Sequence, residues 1–327
     1  MTSIHEKLNI RVPIWNAGMG IGIAGPELAA GVSNARGLGV LGSGGLTPDE
    51  IRAQIVAFRR LSSRAFGVNI ILPLIASHEI ETCFDERVPL MILFWGDVAP
   101  YIKDAHRRDI LIVAQCGDAE EASIAADAGV DGIIIQGTEA GGHVKAHTPL
   151  KSNLAQTLAA VTPLPVIAAG GIATGKDIAT AILDGASAVS IGTRFLATRE
   201  ALVTDDYKQH ILDASASDTV LTELFDMGWP NAQHRVIRNQ SYQVWESAGK
   251  ATSGQREGEN EPIGYVTLPS GKQEIPRYTI FPPLPNVDAD PNDLALYAGE
   301  SCDRVNDILT VDALMEQLQS ELRAAMV

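Results

Sequence analysis

The stretch best equipped for chemistry is Gly137-Thr-Glu-Ala-Gly-Gly-His143, which ends the near-continuous apolar run Val130-Asp-Gly-Ile-Ile-Ile-Gln136. Such a run reads as a parallel strand buried on both faces. Gly137, Gly141 and Gly142 then let the backbone approach a ligand closely. His143 stands just beyond them, where α/β folds keep their reacting groups, outside the carboxyl ends of the strands. An imidazole there can carry a proton near neutral pH. The plainer alternative is a loop histidine bonded to a nearby carbonyl. The glycines and the position favour function.

A second constellation lies downstream. Val166-Ile-Ala-Ala-Gly-Gly-Ile172 and Val189-Ser-Ile-Gly-Thr-Arg194 each end in small residues that expose backbone N–H groups. Loops after the last two strands of a (β/α)8 barrel, with a short helix N-terminus, commonly form a phosphate cradle. Alone, Gly170-Gly171 is equally a tight turn, but two such turns on consecutive final strands favour phosphate. Together with the glycines after the first and sixth strands, they suggest a flat phosphorylated cofactor across the barrel mouth. FMN fits that description.

Two other patterns carry less. Gly20-x-Gly22-x-x-Gly25 matches the dinucleotide fingerprint, but Gly42-Ser43-Gly44 stands where the acidic residue is required. It reads as a glycine turn against some ligand. His143-x-x-x-His147 has zinc-like spacing, which works only on a helix. The glycines and Pro149 argue against one, so no metal is expected.

These residues need a frame, and the chain supplies a regular one. Strands are expected at Val12–Ala17, Leu38–Leu41, Phe66–Ile71, Pro89–Phe94, Ile110–Gln115, Val130–Gln136, Pro165–Ala169 and Ala188–Ile191. Helical segments are expected between them, at Pro26–Ala35, Pro48–Leu61, Ser77–Glu86, Pro100–Arg108, Asp118–Ala128, Asn153–Val161 and Lys176–Leu183. Eight strand-helix units indicate an α/β fold, a (β/α)8 TIM barrel, with an open doubly wound sheet as the alternative. The sequence divides into a barrel at 1–204, a smaller C-terminal substrate or lid lobe at 205–290, and a returning segment at 291–327. Asp205–Phe225 reads as helical, Gly228–Pro285 as Gly/Pro-rich with an exposed loop at Gly249–Pro262, and Val311–Met326 as an amphipathic helix closing the barrel.

Composition narrows the class. A chain of 327 residues with 46% hydrophobic content can bury a large core. A net charge of -15 argues against nucleic acid and anionic membrane surfaces. No apolar run reaches spanning length. The three cysteines, Cys83, Cys116 and Cys302, form no C-x-x-C pair, which suits a reducing cytoplasm.

Pro13-Ile-Trp-Asn-Ala-Gly-Met19, Phe66-Gly-Val-Asn69, Gln136-Gly-Thr-Glu-Ala-Gly-Gly-His143, Ala168-Ala-Gly-Gly-Ile172 and Gly192-Thr-Arg-Phe-Leu-Ala-Thr198 resemble the nitronate monooxygenase family. The resemblance covers roughly Arg11–Thr198. That family, formerly the 2-nitropropane dioxygenases, includes FMN-dependent enoyl-acyl-carrier-protein reductases and quinone reductases. The resemblance implies FMN on a (β/α)8 barrel. Gly18 and Met19 would meet the isoalloxazine by backbone, and Asn69, Gln115 and Gln136 its polar edge or ribityl chain. Gly141, Ala169, Gly170, Gly171, Gly192 and Thr193 would hold the phosphate. His143 matches the catalytic base. Three positions depart: Asn16 replaces the usual glutamine, Gln115 a lysine of some members, and Glu300 the glutamine of a Tyr-Ala-Gly-Gln segment.

The implied activity is oxidation of nitroalkane-derived alkyl nitronates with O2. A NAD(P)H-dependent reductase of quinones or enoyl thioesters is the alternative, and a flavin-binding sensor module the non-enzyme reading. The acidic surface suits an acyl carrier protein poorly, since that partner is itself acidic. The expected partners are a small-molecule substrate and O2 or another electron acceptor, with the chain acting alone or as a homodimer.

Overall fold

A computed structural model describes residues 3–268 and 271–327. A short helix α1 (Ile4–Lys7) precedes β1 (Ile14–Asn16), α2 (Pro26–Asn34), β2 (Gly39–Gly42) and α3 (Pro48–Leu61). There follow β3 (Phe66–Ile71), α4 (Ser77–Asp85), β4 (Leu90–Phe94), α5 (Ala99–His106), β5 (Leu111–Cys116) and α6 (Ala119–Ala128). Next come β6 (Gly132–Gln136), a two-residue strand β7 (Gly142–His143), α7 (Leu150–Val161), β8 (Val166–Ala169), α8 (Gly175–Leu183) and β9 (Ala188–Ile191). The helices start where side chains satisfy their free N–H groups. Thr47 with Glu50, and Thr174 with Asp177, form capping boxes on α3 and α8.

The eight barrel strands are parallel, in the order β2-β3-β4-β5-β6-β8-β9-β1. The ring closes between β1 and β2 through one bridge, Trp15 to Leu38, and through a side chain. Asn16 Nδ2 donates to the Val40 carbonyl at 2.8 Å, and Asn16 Oδ1 accepts from Val40 N–H at 2.9 Å. A buried carboxamide thus takes the place of a strand's peptide group. The alternative of an open doubly wound sheet is excluded by this order.

The barrel interior is filled by Trp15, Val40, Ile92, Val113, Ile134 and Ile167, with Ile4 and Ile10 plugging the N-terminal end. A larger apolar layer lies between strands and helices. The helix after β9 is only α9 (Thr193–Leu196), and α12 (Val311–Ala325) fills the place left in the outer ring, packing against α8 and α2. It buries Val311, Leu314, Met315 and Leu318, as its periodicity predicts.

Beyond the barrel the reading of Asp205–Phe225 as helical fails. Only Asp205–Asp213 is helical (α10), and β10 (Thr219–Thr222) follows. Ser215 with Asp218 makes a new cap that stops the helix, and Thr219–Thr222 is extended because it pairs antiparallel with β11 (His234–Ile237). The Gly/Pro-rich stretch also holds α11 (Gln240–Ser247) and a sheet of β12 (Pro262–Leu268), β13 (Gly271–Pro276) and β14 (Val287–Ala289), ordered β13-β12-β14. The loop at 249–262 is not simply exposed. Arg256 is 6% accessible, donates to the Leu224 carbonyl at 2.6 Å and pairs with Asp226 at 2.8 Å. Smaller departures are strand ends shifted by a residue or two and α7 beginning at Leu150. No helix among the described residues is long and apolar enough to cross a membrane.

Candidate active site

Every barrel strand sends its carboxyl end to the rim of one cavity of about 280 Å³. Ala17 and Gly18 come from β1, Gly44 and Gly45 from β2, Asn69 and Ile71 from β3, Phe94 from β4, and Gln115 from β5. Gln136 comes from β6, Ala169 and Gly170 from β8, and Gly192 and Thr193 from β9. Met19, Gly141, Gly171 and His143 line the same space, so all twelve residues singled out in the sequence meet there. The far wall comes from the later segments, through Trp229, Ile280, Phe281, Pro282, Tyr297 and Ser301. Among the described residues no Asp, Glu, Lys or Arg lines it, although the chain carries a net charge of -15.

His143 is held on β7, which pairs antiparallel with β11 so that His143 faces His234. Its ring stacks on Trp229, with centroids 4.0 Å apart and planes at 27°. Trp95 stands at 6.4 Å, Tyr297 at 5.5 Å and His234 at 5.4 Å. Neither ring nitrogen has a hydrogen-bond partner among the described residues, and Nε2 is sealed from solvent. Burial among these rings, and secondarily His234, holds the imidazole well below its ordinary pKa. The ring is therefore neutral near pH 7. Because β7 is a strand, His143 and His147 share no helix face, which removes the basis of the zinc-like spacing.

Gln136 sits beneath this strand. Its Nε2 donates to the His143 carbonyl at 3.0 Å, and its Oε1 accepts from Lys145 N–H at 3.0 Å. By contrast, Gln115, Ser190 and Ser301 line the cavity with side-chain polar atoms that no described protein group engages.

At the other end, Gly170 and Gly171 take φ of +112° and +68°, a conformation that favours glycine. No protein acceptor among the described residues faces the N–H groups of Gly171 and Thr193. Thr193 Oγ1 accepts from Gly299 N–H at 2.9 Å, which leaves its own O–H free to donate. Arg304 Nη2 donates to the Gly171 carbonyl at 2.6 Å from behind the turn. Glu300 N–H bonds the Glu139 carbonyl at 3.0 Å, so residues 297–304 tie together the loops after β6, β8 and β9. The turn at Gly20-x-Gly22 differs. There, Ile21 and Gly22 donate to the carbonyls of Gly44 and Gly42, so those two amides are not open to a phosphate.

Sequence reasoning missed Trp95, Trp229, His234, Ser190 and Arg304. In the segment around Glu300, only the fold brings Tyr297 and Ser301 to the cavity. An aromatic residue amid Gly and Pro at Met227-Gly-Trp-Pro230 was the one local signal for Trp229.

The nitronate monooxygenase family model matches residues 1–93 and 75–321. The (3aS,4S,5R,7aS)-5-hydroxy-7a-methyl-1-oxo-octahydro-1H-indene-4-carboxyl-CoA dehydrogenase of Mycobacterium tuberculosis is 34% identical over 253 residues, covering 76% of this chain and 70% of that protein. The structure of FabK from Thermotoga maritima superposes with a TM-score of 0.83 at 29% identity, over 99% of this chain and 96% of the other. A nitroalkane oxidase from Streptomyces ansochromogenes gives 0.77 at 26% identity, over 97% of each chain. With a family model matched over most of its length, the chain belongs to the nitronate monooxygenase family of flavin-dependent oxidoreductases.

Proposed function

We propose that the protein oxidises alkyl nitronates derived from nitroalkanes, using FMN and O2, with His143 as the general base. The observation that carries this reading is the state of His143: neutral, unpaired, and on the rim of the cavity. No carboxylate touches the ring, so nothing stabilises an imidazolium there. A base of that kind is matched to a carbon acid that gives up its proton readily, and a nitroalkane is one because the nitro oxygens take the charge. His143 removes the proton on the carbon beside the nitro group at a ring nitrogen, and the C–H electron pair stays on the substrate as the nitronate. A proton donor to an enoyl thioester would need the opposite, a ring that holds its proton.

The cavity fits FMN. Gly18 lets the end of β1 lie directly against Asn69, since a Cβ there would lie 2.1 Å from Asn69 Cβ. Gly18 and Met19 would meet the ring system, with Asn69 and Gln115 at its polar edge. Gly141, Ala169, Gly170, Gly171, Gly192 and Thr193 would hold the phosphate. A dianion would meet backbone N–H groups and hydroxyls with no carboxylate on the lining. Bound flavin would supply the redox chemistry, taking two electrons from the nitronate and passing them to O2. Trp229 and residues 280–282 wall the cavity on its far side.

A second reading, dehydrogenation or reduction of a thioester, is favoured by the carboxyl-CoA substrate in the name of the M. tuberculosis relative. Anaerobic flavin bleaching decides between them, with a nitronate, NADH, NADPH, a saturated acyl-CoA and, after reduction, an enoyl-CoA or quinone offered in turn. Bleaching by nitronate supports the first reading. Bleaching only by NAD(P)H or acyl-CoA overturns it.

A further inference from the structure

We propose that Arg256 is a positioning residue for Trp229 and, through it, for His143, an inference that rests on the base role given to His143 above. The loop that carries it, 249–262, is rich in glycine and charge, yet sends this one side chain inward, 2% exposed. Its guanidinium meets groups from three segments. It donates to the Leu224 carbonyl at 2.6 Å, pairs with Asp226 at 2.8 Å and with Glu259, and lies over the Tyr278 ring at 4.6 Å. Glu259 belongs to the loop itself and accepts from Gly254 N–H at 2.7 Å, which folds the loop around the charge. A planar cation with five donors can fasten a carbonyl and two carboxylates at once, which a lysine cannot do in the same geometry.

The other two segments run on into the far wall of the cavity. Trp229 N–H donates to the Asp226 carbonyl at 2.9 Å, closing a turn at Gly228 (φ +109°) that delivers the indole to His143. Met227 ties this turn to the second segment. It donates to the Tyr278 carbonyl at 3.1 Å and accepts from Ile280 N–H at 3.2 Å, and residues 280–282 wall the same space. Phe225, between the two residues that Arg256 holds, donates its N–H to His234 Nε2 at 3.2 Å. The His143 ring has no hydrogen-bond partner among the described residues, so its surroundings are set by the rings around it. These are Trp229, Trp95 and the titratable His234 and Tyr297. Trp229 stands nearest, and its turn hangs on Arg256.

Removing the arginine alone would leave Asp226 a buried, unpaired carboxylate and destabilise the lobe. The test therefore uses Arg256→Met combined with Asp226→Asn, and separately Arg256→Lys, which keeps the charge but loses the fork. Three properties of the purified holoenzyme are measured: flavin content per chain, hydrogen exchange of the Trp229 amide, and the titration of the His143 imidazole by NMR. The acid limb of kcat/KM on a neutral nitroalkane is set beside the titration. Flavin content should stay at the wild-type level, since the proposed phosphate turns belong to the barrel. Trp229 exchange should accelerate about tenfold in the double variant, as its turn opens locally, and less in the lysine variant. The His143 pKa and the acid limb should rise together by about one pH unit as water reaches the ring. A lowered Tm with unchanged Trp229 exchange and His143 titration would show that Arg256 only holds the lobe together, and overturns the proposal. Loss of flavin, or failure of both variants to fold, overturns it as well. If the wild type oxidises no nitroalkane, the substrate reading fails on its own, while exchange and imidazole titration still judge Arg256.

Discussion

His143 and His234 face each other across the β7–β11 ladder, their ring centroids 5.4 Å apart. Their bonding is opposite. His234 Nδ1 donates to the Ala232 carbonyl at 2.9 Å and its Nε2 accepts from Phe225 N–H at 3.2 Å. This fixes one neutral tautomer, and burial pushes the pKa down to about 4. His143 has no such partners. One ring is a strut, and the other has both nitrogens unengaged among the described residues.

Replacing His143 by Asn should leave flavin bound, because the proposed cofactor contacts are other side chains and backbone. Turnover of neutral nitroalkane should fall about 10²–10⁴-fold, the usual worth of a general base. Pre-formed nitronate, which has already lost its proton, should suffer much less. Equal losses on both substrates would show that the ring binds or orients.

The stack on Trp229 is the main shield of that ring. Trp229→Leu should let water reach it and move its pKa up towards the ordinary histidine value. The acid limb of kcat/KM on neutral nitroalkane should then shift to higher pH than in the wild type, where activity stays flat down through pH 6.5. An unmoved limb would mean that Trp229 does not set the basicity of His143.

Gly171→Asp should abolish flavin retention, whereas Gly171→Asn should largely keep it. Both add the same shape at a φ of +68°, which Asn tolerates, but only the carboxylate repels a phosphate. Flavin absorbance per chain after gel filtration reads the difference. Equal retention in the two variants would place the phosphate elsewhere.

Fold stability should fall with acid in a defined window. The folded pKa values of His143 and His234 lie below those of the unfolded chain, so the unfolded state binds more protons as the pH drops below about 6.5. The loss from His234 should level off below about 4, at a cost of about 3 kcal/mol. In His143→Asn the decline of Tm between pH 6.5 and 4 should be shallower than in the wild type. A parallel decline would mean that the ring is not buried neutral.

The barrel was legible because the parallel strands are short and apolar and most are closed by Gly, so local pattern and final place agree. The residues of the cavity were legible for the same reason, since they follow strand ends. What the pattern lacked was pairing between distant segments. β10 is extended because β11 lies beside it, and the one local sign that the helix ends before it is the Ser215-x-x-Asp218 cap. Trp229 reaches His143 through a fold in the later segments that no spacing records. Gln136 could be placed at a strand end, but the direction of its amide depends on where β7 runs.

Asn16 bears on the order in which the barrel should assemble. The main-chain ladder of β1 is made with β9, where Ile14 pairs with Val189, so it must wait for nearly all the strands. The carboxamide clasp to Val40 spans only 24 residues, a loop that closes at small entropic cost. It can seat β1 beside β2 while the far side of the ring is still unmade. Asn16→Leu should therefore slow refolding more than it speeds unfolding, and the reverse pattern in a chevron would show that the clasp closes last. The closing joint of the ring should then be among its earliest contacts, with the last strand docking onto an edge that one side chain has already set in place.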